Sequence, residues 1–141
     1  MAIAPSGIKL LIVDDEPVIL KTLSMIFESS SLFIKCCGDP QDAIRLMRDE
    51  LFHLVLLDIQ MPGMLGNELL VHLKKINPLT QIIMMTGYSS LDFVVDCLGN
   101  GACDYFTKPF TDITLLQTAV LEAEARAQRW HQVMQDTFRR G

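Results

Sequence analysis

The 141-residue chain reads as an α/β protein with a doubly wound, five-stranded parallel sheet flanked by five helices. Three observations predict this. Short apolar runs alternate with segments whose apolar residues recur at helical spacing. The runs are continuous rather than alternating, as in strands buried on both faces. Each is followed by a stretch long enough for a right-handed crossover, which returns the next strand parallel to the last.

The first strand is expected over about Lys9–Val13. Pro17 suits the first turn of a helix, where its missing N–H has no partner to lose. Val18, Ile19, Leu23, Ile26 and Phe27 give that helix an apolar stripe to about Ser29. A second strand covers about Leu32–Cys37. Asp39 caps the next helix, with Pro40 at its first position and Ala43, Ile44 and Met47 facing inward. The third strand is about His53–Leu57, and Met61–Gly66 is a loop broken by Pro62 and Gly63. A third helix over about Asn67–Ile76 is stopped by Asn77-Pro78, and the fourth strand is about Gln81–Met85. Ser89 or Ser90 caps a short helix to about Leu98, closed by Gly99-Asn100-Gly101. The fifth strand is about Asp104–Phe106, and Thr111 or Asp112 caps the last helix.

That last helix is long. From Thr111 to about Arg139 there is no Gly or Pro, and at 1.5 Å per residue it would reach roughly 40 Å. Ile113, Leu116, Val120, Ala123, Ala127, Trp130 and Met134 recur at alternating steps of three and four, an a/d seam of about three heptads. Either its first half packs on the sheet and its second half frays, or the helix leaves the domain and pairs with a second copy. Ala at two seam positions makes such a pair weak on its own.

Composition narrows the function classes. Half the residues are hydrophobic and the net charge is −5, so the chain is expected to be globular and to make no direct contact with nucleic acid, whose phosphates need a basic face. Arg126, Arg129, Arg139 and Arg140 are mixed with Glu122, Glu124 and Asp136, the pattern of a solvated helix face. No apolar run approaches the roughly 20 residues that span a bilayer, and the first residues do not read as a signal peptide; a cytoplasmic protein without membrane contact is expected. Cys36, Cys37, Cys97 and Cys103 form no metal-ligand spacing, so reduced, mostly buried thiols are expected.

The chemistry gathers at strand ends. The first run leads into Asp14-Asp15-Glu16, the third ends in Asp58, the fourth in Thr86, and the fifth leads to Thr107-Lys108-Pro109. In a parallel sheet these ends share one edge, where open α/β folds bind ligands. Asp15 or Glu16 could simply cap the following helix, but Asp58 is followed by Ile59-Gln60-Met61-Pro62, which starts none. Clustered carboxylates raise one another's pKa, and a hard divalent cation relieves this; Mg²⁺ suits one or two carboxylates with water and phosphate oxygens. A carboxylate can be phosphorylated by attack on phosphorus, with the Lys108 ammonium and the Thr86 hydroxyl on other phosphoryl oxygens.

Leu11–Glu16, Leu56–Gly66, Met85–Tyr88 and Asp104–Phe110 together resemble the receiver domain of a bacterial two-component response regulator, over about residues 8–122. The resemblance implies the flavodoxin-like strand order 2-1-3-4-5. It implies that Asp58 takes a phosphoryl group from a phosphohistidine on a sensor kinase or phosphotransfer protein. Asp15, Asp58 and the backbone carbonyl of Gln60 would ligate Mg²⁺, with Asp14 acting through water. Thr86 and Lys108 would bind the phosphoryl oxygens, and Tyr105 would be the aromatic switch; without the resemblance Tyr105 is an ordinary half-buried aromatic. Gln60 and Tyr88 occupy the positions that tune the lifetime of the phosphorylated state, and the bulk of Tyr88 implies slow self-dephosphorylation. The Lys108–Pro109 bond would be cis.

Residues 1–122 are thus expected to form the receiver and residues 123–141 an extension of the last helix, a candidate coiled-coil linker. No output domain follows, so a stand-alone regulator or the receiver part of a longer protein is expected. Met85–Ser90 and the long helix are similar to receivers of NtrC-type transcription activators. The chain is expected to be a switch rather than an enzyme. Other readings fit less well. A haloacid-dehalogenase-like phosphatase needs a second Asp where Gln60 stands, an FMN carrier needs a phosphate loop after the first strand, and a dinucleotide enzyme needs Gly-x-Gly-x-x-Gly. A receiver-like interaction module that is never phosphorylated is the alternative from another class.

Overall fold

The computed structural model describes residues 7–87, 90–108 and 112–140. Its elements run β1 (Lys9–Val13), α1 (Pro17–Phe27), β2 (Phe33–Cys37), α2 (Pro40–Asp49), β3 (Leu54–Asp58), β4 (Gln60–Met61), β5 (Met64–Leu65), α3 (Gly66–Ile76), β6 (Gln81–Thr86), α4 (Leu91–Gly99), β7 (Ala102–Thr107) and α5 (Ile113–Arg140). The main sheet has the order β2-β1-β3-β6-β7, with every neighbouring pair parallel. This is the expected 2-1-3-4-5 arrangement, renumbered by the small β4–β5 hairpin.

The sheet separates two cores by the alternation of side chains along each strand. Leu11, Val13, Val55, Leu57, Ile82 and Met84 face α2, α3 and α4. Leu10, Ile12, Leu54, Leu56, Ile83 and Met85 face α1 and α5. β1, β3 and β6 are buried because both faces and both edges are covered. β2 pairs only with β1 and is mostly exposed, so its apolar run overstates its burial.

The caps follow sequence chemistry. The Asp39 side chain accepts from the N–H groups of Gln41 and Asp42, and Ser90 accepts from Phe93 N–H. Asp112 accepts from Thr114 N–H at the start of α5. Thr111 and Ser89, the alternative caps, lie outside the described residues.

Four expectations are corrected. The Met61–Gly66 loop contains the antiparallel β4–β5 pair, turned by Pro62 and by Gly63 at φ +93°, the positions and conformation of a type II turn. Val18 is 73% exposed, because it falls off the α1 face that carries Leu23 and Phe27. Glu124 is buried and accepts a hydrogen bond from Ser31, so it is not part of a solvated face. Cys37 and Cys97 are buried, but Cys36 and Cys103 are exposed; all four are free.

In α5, Leu116, Val120, Ala123 and Ala127 are buried on the sheet. Gln81 fixes this half, donating to Ala123 O at 2.6 Å and accepting from Arg126 Nε at 2.7 Å. Beyond Ala127 the helix continues to Arg140 with every residue exposed. Among the described residues, no helix is long and apolar enough to cross a membrane.

Candidate functional site

The C-terminal ends of β1, β3, β6 and β7 bring Asp14, Asp58, Thr86 and Lys108 together. Each strand run places one polar group where the apolar core ends. Asp14 N–H bonds Cys37 O, and Ile59 N–H bonds Met85 O, so the ladder extends past the strands and fixes both acids. Lys108 N–H bonds Thr86 O at 2.6 Å, tying the residue after β7 to the end of β6.

Asp14 and Thr86 are fully buried, and Asp58 is 2% exposed. Lys108 lies between the two acids. Its Nζ is 2.5 Å from Asp14 Oδ2, 3.5 Å from Asp58 Oδ1 and 3.8 Å from Glu16 Oε1. Burial and then the charge of Asp14 push the Asp58 carboxyl up to about 6, against the pull of Lys108. Burial alone would lower Lys108, but the hydrogen bond to Asp14 and the charges of Asp58, Asp14 and Glu16 outweigh it and raise its pKa.

Asp14, Asp15 and Glu16 form a second grouping, with one carboxylate oxygen from each within 4.8 Å of the others. Asp14 belongs to both. Asp15 and Glu16 are exposed, so this group opens to solvent while Asp58 stands deeper. An all-oxygen donor set on a rigid strand end fits a hard divalent cation such as Mg²⁺. The capping explanation fails for Glu16: it occupies the N-cap of α1 without a side-chain cap hydrogen bond, and its own N–H is held by Asp14 Oδ1 at 2.9 Å. Glu16 is the residue whose part was missed; its place directly after Asp15 was the available signal.

Gly66 is the other missed contributor. A Cβ there would stand 2.3 Å from Ile59 Cα and 2.8 Å from Asp58 O. The glycine lets α3 start against the backbone of the candidate acceptor, and its N–H bonds Ile59 O at 2.8 Å. Gln60, exposed in β4, donates its N–H to Asp58 Oδ1 at 3.3 Å.

Tyr105 is half-buried on β7 and packs against the core under α4. Its hydroxyl is buried with no hydrogen-bond partner among the described residues. Burial raises the phenol's pKa, and the nearby Thr86 side chain pulls weakly the other way without meeting hydrogen-bond geometry. An orphaned buried hydroxyl is rare and calls for a reason. Tyr88 and Pro109, and with it the Lys108–Pro109 bond, lie outside the described residues.

Residues 10–120 match the sequence profile of the response regulator receiver domain. The chain is 35% identical over 118 residues to the transcriptional regulatory protein ZraR of Klebsiella oxytoca, covering 84% of this chain and 26% of that protein. It is 35% identical over 115 residues to the response regulator protein PilR of Pseudomonas aeruginosa, covering 82% and 26%. The chain therefore spans about a quarter of the length of these curated relatives. Among solved structures, the CheY-like response regulator receiver domain protein of Methanospirillum hungatei JF-1 superposes with a TM-score of 0.82 at 32% identity, over 88% of this chain and 98% of that one.

Proposed function

The chain belongs to the response regulator receiver family, a phosphoacceptor of two-component signalling, and on that premise we propose that Asp58 is the residue phosphorylated. The observation that carries this is the Lys108 ammonium held between Asp14 and Asp58 at the carboxyl edge of the sheet. A buried carboxylate with a fixed cation 3.5 Å away is placed for a phosphoryl group and for a charge to balance it.

Receiver domains of this family interact with sensor histidine kinases. For this chain the proposed donor is a phosphohistidine on such a kinase or on a phosphotransfer protein. An Asp58 carboxylate oxygen attacks phosphorus; the P–O bond forms as the P–N bond breaks, and its electron pair stays on the departing imidazole nitrogen. Lys108 pairs with one phosphoryl oxygen and the Thr86 hydroxyl donates to another. Asp14, Asp15, Asp58 and the Gln60 carbonyl are the proposed holders of Mg²⁺, which when bound neutralises charge on the phosphoryl oxygens. Glu16 joins this group by position. The chemistry is confined to the chain's own phosphorylation and dephosphorylation, with Gln60 and Tyr88 setting how long the product lasts.

Tyr105 is the proposed switch. Its hydroxyl, unpartnered among the described residues, fits a side chain whose inward position is only completed when Thr86 is drawn to a phosphate. The consequence would be read on the surface of α4, β7 and α5. For residues 123–141 we propose a linker that pairs with a second copy. In a parallel pair, Trp130 and Met134 meet their counterparts, while Val133 packs against Phe138 of the other helix. Sedimentation velocity checks this: self-association should weaken when Trp130 and Met134 are both changed to Ser. Transcription control, as in ZraR, is the proposed output, reached through another domain or partner.

The decisive experiment treats the protein with Mg²⁺ and acetyl phosphate and measures intact mass. The parent should gain one phosphoryl group and Asp58→Asn none. An unmodified parent, or an equal adduct on the variant, refutes the assignment and favours the non-phosphorylated interaction module.

A further inference from the structure

At the sheet edge opposite the acids, the outer part of α5 lies over the segments that lead into β3 and β6. Phe52, Leu79, Trp130 and Met134 line a cleft there, together with His53 and His131. The same two histidines line the neighbouring cleft beside Ile8 and Gln128, so they form the wall between the clefts. His53 comes from the domain and His131 from the helix that leaves it.

We propose that His53, on the wall it shares with His131, is an acid-sensitive latch that holds the outer part of α5 to this edge while the His53 ring is neutral. The geometry behind it is a backbone contact. His53 Nδ1 accepts the Lys9 N–H at 3.0 Å, and the His53 backbone bonds Lys9 O and Gln81 N. An acceptor Nδ1 requires the neutral ring with its proton on Nε2. An imidazolium has no lone pair to offer, so protonation leaves the Lys9 N–H without its partner.

The surrounding charges oppose protonation further. Lys9 faces His53 from β1, with its ammonium over the Phe52 ring, and His131 faces it from α5. Glu50, the anion of this corner, is already shared by Lys9 at 2.6 Å and Lys35 at 2.8 Å. His131 contacts Gln135, which is neutral. Burial first, then the charges of His131 and Lys9, hold His53 below its ordinary value. A lowered folded pKa means that the neutral arrangement is intact above 6.5, the ordinary value, and is lost as pH falls through the lowered one. The latch is independent of the chemistry at Asp58 and competes with pairing of two copies, because Trp130 and Met134 either line this cleft or meet their counterparts.

Trp130 is the chain's one tryptophan, so acrylamide quenching of its fluorescence reports the cleft directly. Between about pH 7.5 and 5.5, where histidine charges, the quenching constant should rise about twofold while far-UV ellipticity stays constant. The midpoint should lie below 6.5. His53→Asn keeps a side-chain acceptor but takes up no proton, and should flatten the profile. His131→Gln removes a repelling charge and should move the midpoint upward. A flat parent profile, an unchanged profile in His53→Asn, or a rise that appears only with loss of ellipticity overturns the proposal. If His53→Asn fails to fold, an unmoved midpoint in His131→Gln overturns it alone.

Discussion

Asp58 is held ionised at neutral pH in a place that disfavours charge. Its folded pKa, about 6, stands above the ordinary 3.8. For an acid raised in this way, the stabilising contribution is fully present below the ordinary value and is lost as pH rises through about 6. In metal-free buffer, Asp58→Asn should therefore stabilise the fold at about pH 7.5, by on the order of 1–3 kcal/mol. The gain should shrink toward pH 5; urea denaturation at several pH values measures it, and a gain independent of pH would contradict the cause given. The four strand-end residues of the site were legible because each interrupts an apolar run where burial would otherwise penalise it. The position of Lys108 between Asp14 and Asp58 was not, since it depends on the register of β7 against β6 and on the path of the chain after Thr107. Nor was the burial of Glu124, which needs Ser31, 93 positions away, to pair with.

Elements reach the site through their starting points. Gly66 starts α3 against the Asp58 and Ile59 backbone, and the atoms a Cβ would strike are main chain that cannot swing aside. Gly66→Ala should destabilise the protein by about 1–3 kcal/mol, as overpacking does. It should also slow phosphorylation of Asp58, because relief requires the acceptor's own carbonyl to move. Chemical denaturation and the rate of adduct formation with acetyl phosphate check the two halves; full stability with a normal rate would show that the contact is soft. The main strands were readable from continuous apolar runs and the helices from their caps, Asp39 and Ser90 among them. The β4–β5 hairpin escaped because two residues per strand carry no periodicity. β2 looked more buried than it is because edge position depends on topology, not on composition.

The whole molecule carries a net charge of −5 and gathers Asp14, Asp15, Glu16 and Asp58 at one edge. A divalent cation that binds only the folded chain stabilises it by mass action, by about 1.4 kcal/mol at ten times its dissociation constant. Thermal melts in increasing MgCl₂ should rise by a few degrees, and Asp15→Asn should blunt the response. An equal response in the variant would place the ion elsewhere. The two ends of the molecule are joined by a single rigid rod. α5 starts five residues beyond Lys108 and runs for 28 residues without a break, about 42 Å at 1.5 Å per residue. Its inner half is clamped by Ala123, Gln81 and Arg126, so that clamp is a fulcrum with arms on both sides. A tilt of about 5° about that clamp carries the tip, on an outer arm of roughly 25 Å, about 2 Å, a little under half of one helical turn. The receiver thus has a built-in mechanical amplifier, whose load is whatever Phe138 touches.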